Sequence, residues 1–103
     1  MTDPTVVLEN NRATKEMRTL IFEIACSLVD DANAVQVEVL PDQDSVVLRL
    51  HVAPGDIGKV IGKQGRTARS LRTILGAASM KLHRRFSLDI VEAGRENQER
   101  DSH

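Results

Sequence analysis

The chain has no tryptophan and no tyrosine, and its two aromatic residues are the phenylalanines Phe22 and Phe86. That scarcity makes ligand recognition by stacking on aromatic platforms unavailable. A single cysteine, Cys26, cannot form an internal disulfide and is too few for a zinc site, which fits a reducing cytoplasm and a buried structural thiol. Long hydrophobic runs are also missing. The most apolar stretch, "LIFEIACSLV" at 20–29, is too short to span a bilayer and contains Glu23. No basic start leads into an apolar run and a small-residue cleavage site, so nothing suggests export and the expected location is the cytoplasm. Catalytic constellations are absent as well. His51 and His83 have ordinary places, on an outer strand face and at a basic helix end, with no cysteine–histidine or metal-ligand spacing near them. The expectation is a non-enzyme without metal or cofactor.

At 103 residues there is room for one domain with a modest core, and 41% apolar and 28% charged residues suit a soluble globular chain. The net charge of −1 hides a segregation. Residues 1–48 carry three Lys/Arg against nine Asp/Glu (−6), 49–85 carry nine against one (+8), and 86–103 carry two against five (−3). A basic block of this kind is either the footprint of a phosphate-binding surface or a solvated helix face.

Residues 1–13 and 93–103 are polar and irregular and are expected to be flexible extensions around an ordered domain at 14–92. Met17, Leu20, Ile21, Ile24 and Leu28 recur at three- and four-residue spacing and predict a helix from Thr14 to Val29. Val35, Val37 and Val39 alternate with Gln36 and Glu38, as in a half-buried strand. "PDQDS" (41–45) is a turn. The strand "VVLRLHV" should return antiparallel, with Val46, Leu48, Leu50 and Val52 inward and Val47, Arg49 and His51 outward. "APGD" opens a short helix from Gly55 to Ile61, which Asp56 is expected to cap. A longer helix follows from Arg66 to His83, with Thr67, Leu71, Ile74, Leu75, Ala78 and Leu82 on its apolar side, and "FSLDI" (86–90) is the last strand. The order α-β-β-α-α-β gives a two-layer α+β domain, a three-stranded sheet with helices packed on one face.

Between the last two helices lies "VIGKQGRT" (60–67). Gly62 and Gly65 allow backbone geometries closed to residues with a Cβ and let a ligand backbone approach closely. The following helix starts there, so its unpaired N–H groups and positive dipole end point outward. Lys63 lies at the tip, with Arg66 and Arg69 one turn away. Donors, dipole and cations together make an anion site, most simply for phosphodiesters. A plain helix–helix turn also favours glycine. Other phosphate loops do not fit: Gly62-Lys63-Gln64 lacks the hydroxyl residue of a Walker loop, and no GxGxxG occurs.

At "GDIGKVIGKQGRTARSLRTIL" the chain resembles the KH domain, whose signature is I-G-x-x-G between two helices, over residues 14–92. One strand after the long helix, preceded by a helix and two strands, looks like the bacterial type II arrangement. The length, "SLVDDANAV" and "VAPGDIGKVIGKQGRTARSLR" resemble the KhpA family of small single-KH bacterial RNA-binding proteins. Ala68 stands where the general KH pattern often has isoleucine. The resemblance implies that about four single-stranded nucleotides are held, with Gly62, Lys63, Gln64 and Gly65 clamping the backbone. Lys59, Arg66 and Arg69 supply charge beside it, and Ile57, Val60 and Ile61 line an apolar groove for the bases, or simply pack the core. It further implies self-association and a heteromer with the larger KH protein KhpB (Jag/EloR); Val60 and Ile61, apolar residues at the tip of the short helix, are the expected dimer interface. An RNA-chaperone-like role in post-transcriptional regulation, cell shape and cell wall biogenesis would follow. Two alternatives remain open: single-stranded DNA as the ligand, or a protein-interaction subunit that uses the KH face mainly for dimerisation.

Overall fold

The computed structural model describes residues 4–94, with side chains from residue 12 onward. Helix α1 runs Pro4–Leu28, followed by a 3-10 turn at Ala32–Ala34. Strand β1 is Gln36–Pro41 and β2 is Ser45–Val52. A second 3-10 turn at Pro54–Asp56 leads into α2, Ile57–Ile61. A third, Lys63–Gly65, leads into α3, Arg66–Leu82, and β3 closes the fold at Arg85–Glu92. This is the expected α-β-β-α-α-β order.

The helix expected to start at Thr14 instead starts at Pro4, so residues 4–13 are helical rather than an irregular extension. Between Pro4 and Leu28 no glycine or further proline interrupts the chain. A proline at the first helical position needs no N–H partner, so it starts a helix readily. Of the polar segment expected at the other end, residues 95–103 lie outside the described residues.

The sheet order is β1-β2-β3, with β1–β2 antiparallel and β2–β3 parallel. The hairpin closes through the Asp42 N–H donating to Ser45 O at 2.8 Å, and its register sets Val37 opposite Leu50 and Val39 opposite Leu48. Parallel pairing then places Val46, Leu48 and Leu50 beside Phe86, Leu88 and Ile90, so one face of the sheet is apolar along its length. All three α-helices contact the sheet, and α1 and α3 also touch each other. Leu48, Leu50, Val52 and Val60 are fully buried, with Ile21, Ala25, Val46 and Leu75 close behind. Each such aliphatic side chain contributes about 1.5–3 kcal/mol relative to exposure.

Two helical positions depart from the expected core stripe. Leu28 and Ile74 are exposed, and Ala13, Ala25 and Ala68 occupy the contact instead. On α3 the buried positions are Ala68, Leu71 and Leu75, at three- and four-residue spacing, which leaves Ile74 off the buried side. On the outer face His51 is buried rather than open, because it lies on the central strand with its Nε2 3.1 Å from Glu38 Oε1. Among the described residues no helix is long and apolar enough to cross a membrane, and no group of His, Cys, Asp and Glu is placed to hold a metal ion.

Candidate nucleic-acid interface

The turn between α2 and α3 is built from backbone that only certain residues can supply. The Gly62 N–H donates to Gly58 O at 2.9 Å and closes the last turn of α2. Gly62 itself takes φ 79°, ψ 170°, which breaks the helix. The Gly65 N–H then donates to Gly62 O at 3.0 Å, and Gly65 lies in the left-handed region (φ 73°, ψ 16°) as the residue preceding α3. Gln64 also has a positive φ, 57°, without being glycine. The two glycines differ in their demands. A Cβ at Gly62 would press on the Thr67 side chain and backbone nitrogen, whereas one at Gly65 would meet open space.

Lys63 and Gln64 are exposed at the tip, and Arg66 and Arg69 are exposed in the first turn of α3. Among the described residues no carboxylate pairs with Lys63, Arg66 or Arg69. Their positive charge therefore adds to the helix dipole, undiminished by internal partners. Ile61, Gly65, Ala68, Arg69, Arg72 and Thr73 line an adjoining hollow of about 480 Å³. Its lining mixes aliphatic residues, Ile61 and Ala68, with cationic ones, Arg69 and Arg72.

Three of the expected groove and charge residues sit elsewhere. Val60 is fully buried in the core, so it can be neither an exposed groove wall nor part of a dimer interface. Its place on α2 turns it towards the sheet. Ile57 likewise packs against the core cluster rather than lining the hollow. The Lys59 ammonium is turned back, 3.4 Å from Asp30 Oδ2 and 3.5 Å from Asp56 Oδ1, which holds its pKa above the ordinary 10.5.

Asp56 does not cap α2 with its side chain. Its carboxylate instead accepts hydrogen bonds from the Asp31 N–H at 3.0 Å and the Asp30 N–H at 3.2 Å, just past the end of α1. Those two N–H groups, the Asp31 bond foremost, hold its pKa below the ordinary 3.8 against the opposing effect of burial, with Lys59 adding to them. The result is a bracket that fixes the start of α2 to the end of α1.

Arg72 was not foreseen as part of the site. Its Nη2 donates to Leu88 O on β3 at 3.3 Å, which draws the guanidinium across to the strand. The signal was present as a three-residue spacing, Arg66, Arg69, Arg72, which places all three along one side of a helix.

The profile of the KhpA/KhpB KH domain matches residues 18–90. The chain is 49% identical over 76 residues to a protein of Halalkalibacterium halodurans named RNA-binding protein KhpA, covering 74% of this chain and all of that one. It is 47% identical over 75 residues to the protein of the same name from Clostridium acetobutylicum, covering 73% of this chain and all of that one. A third of that name, from Aquifex aeolicus, is 43% identical over 76 residues, 74% of this chain and 96% of its own length. With the type II element order and the Gly62–Gly65 turn already in place, these matches identify the chain as a member of the KhpA/KhpB KH-domain family.

Proposed function

We propose that this protein binds single-stranded RNA, with the Gly62–Gly65 turn clamping the phosphodiester backbone and the hollow beside it receiving bases. The observation that carries the reading is the group of cations at the turn, Lys63, Arg66 and Arg69, none of which has a carboxylate partner among the described residues. They stand beside a glycine turn open enough for close backbone approach. The relatives' shared name, RNA-binding protein KhpA, points the same way. With aliphatic and cationic walls and no aromatic ring in the lining, binding is weak and only loosely selective. The role is binding rather than catalysis, in the cytoplasm. Family membership supports an RNA-chaperone role exercised with KhpB in post-transcriptional regulation and in cell shape and wall homeostasis. A dimerisation role for the same face now rests on Ile61 alone, half-buried next to the turn.

The test is Lys63→Asp with Gln64→Asp. Both glycines stay, and aspartate tolerates the positive φ of 57° at position 64. The local charge changes by −3, two units from the lysine and one from the glutamine. Affinity for a single-stranded oligoribonucleotide should fall at least about tenfold, roughly 1.4 kcal/mol, with circular dichroism and melting temperature nearly unchanged. Wild-type affinity in the folded double variant would remove the turn from the mechanism and favour the dimerisation role.

A further inference from the structure

We propose that Asp56 is a positioning residue for RNA binding, an acid that strengthens the hold on an anionic ligand by fixing α2 and, through it, the Gly62–Gly65 turn. The inference rests on the RNA-binding reading above and adds a buried support residue to it. Asp56 is the one carboxylate among residues 49–85, which carry nine Lys/Arg. By charge alone it opposes a phosphate at the turn. Yet it is 4% exposed, and both of its oxygens are taken. Oδ2 accepts from the Asp31 N–H at 3.0 Å, while Oδ1 accepts from the Asp30 N–H at 3.2 Å and lies 3.5 Å from Lys59 Nζ.

Helix α2 has five residues, too few to hold its own shape in isolation. The turn begins where α2 ends, with the Gly62 N–H closing the helix on Gly58 O at 2.9 Å, so the turn inherits its position from α2. Val60 in the core and Ile57 against it anchor α2 by apolar contact. Such contact is non-directional and lets a short helix pivot. The Asp56 carboxylate supplies the directional part, because two oxygens on two successive N–H groups make a two-point attachment. From Asp56 to Gly62 the chain advances about 9 Å, at about 1.5 Å per helical residue. A pivot of about 10° over that length carries the turn about 1.5 Å, beyond the roughly 0.5 Å within which a binding constellation must be held.

Fluorescence anisotropy with a labelled single-stranded oligoribonucleotide, at a temperature where circular dichroism shows every variant folded, tests the sign of the effect. Asp56→Asn removes the charge and one of the two acceptors, and affinity should fall about threefold to tenfold. Asp30→Asn is the charge control. It removes the other carboxylate on Lys59 but keeps the backbone N–H that Asp56 accepts. Its affinity should match wild type or exceed it by less than about twofold, since screening over about 8 Å leaves little of one charge at the turn. Charge acting alone would raise affinity in both variants. A role confined to stability would lower the melting temperature of Asp56→Asn and leave the affinity of the folded protein unchanged. Either result overturns the proposal, and so does an equal fall in both variants, which would trace the effect to Lys59. Should Asp56→Asn not fold, Asp56→Glu provides the test: the charge stays, the carboxylate sits one methylene further out, and the displaced α2 should weaken binding. Wild-type affinity in that variant overturns the proposal. In all these outcomes the wild type binds and the RNA-binding reading stands, whereas wild-type protein that binds no oligoribonucleotide overturns both.

Discussion

Alanine at Gly62 and alanine at Gly65 should have very different consequences, although the two residues look equivalent in the sequence. A methyl group at Gly62 would lie 2.7 Å from Thr67 Cβ and 2.8 Å from Thr67 N, closer than carbon atoms approach in folded proteins. Its φ and ψ, 79° and 170°, belong to a region that is essentially glycine-only and costs a residue with a Cβ about 1–3 kcal/mol. Overpacking against a backbone atom adds about 1–3 kcal/mol. At Gly65 nothing lies within 4 Å, and the left-handed backbone costs alanine about 1–2 kcal/mol. Both substitutions recover about 0.4–1 kcal/mol by restricting the unfolded chain. The net difference is about 2 kcal/mol, or about 8–16 °C in melting temperature for a domain of this size. Thermal unfolding followed by far-UV circular dichroism measures it directly. Adding Thr67→Ala to Gly62→Ala removes the hydroxyl contact but leaves the Cβ and the backbone nitrogen, so only part of the loss should return. Equal destabilisation by the two alanines would mean that Thr67 does not press on the turn, and the account of its geometry would fail.

Binding to single-stranded RNA should weaken steeply with salt. At about −0.7 per neutralised phosphate, three or four contacts give a slope of log K against log[salt] of about −2 to −3. Arg66→Ala should flatten it by about 0.7, while Arg49→Ala should not, because that guanidinium is 3.3 Å from Asp89 Oδ2 and 3.8 Å from Glu38 Oε1 on the sheet. A slope that responds equally to both variants in anisotropy titrations would refute the assignment. The Asp56 bracket predicts a pH effect of definite sign. Its folded pKa lies below the unfolded 3.8, so its contribution is present above the unfolded value and disappears as pH falls through the folded one. Melting temperature should therefore drop more steeply on acidification in wild type than in Asp56→Asn, and parallel curves would show that the carboxylate charge does not matter there. Lys59 behaves inversely, its raised pKa giving stability below pH 10.5 that is lost as pH rises through the folded value.

The long helix, the strand alternation and the glycine turn were legible because each is dictated locally. Periods of 3.6 and 2, and glycine where φ is positive, need no knowledge of the rest of the chain. What was not legible depended on contacts between distant segments. Val60 and Ile61 are adjacent aliphatic residues, and only docking of α2 decides that the first is buried and the second remains at the turn. Asp56 carries an ordinary capping signal, yet two N–H groups 25 and 26 residues away take its carboxylate. Lys59 reads as one more cation beside the turn until Asp30 and Asp56 appear within reach. The early start of α1 was missed for a different reason. Its first ten residues lack the apolar period that signals a helix, but nothing in them interrupts one either.

These pairings change what the charge count means. Summed along the sequence, the block 49–85 carries +8, which would suggest a broad electrostatic surface. Within the fold, Arg49 is neutralised across the sheet and Lys59 at the base of α2. Lys81, Arg84 and Arg85 lie at or beyond the far end of α3, a helix of 17 residues and thus about 25 Å long. At physiological ionic strength exposed charges are screened over about 8 Å, so that distant group contributes little at the turn. Lys63, Arg66 and Arg69 are left to act there, with Arg72 held on the strand behind them. A phosphodiester backbone at the glycines meets three or four cations rather than eight. That number limits the salt slope to between about −2 and −3, whereas a surface using the whole block would give one steeper than about −5.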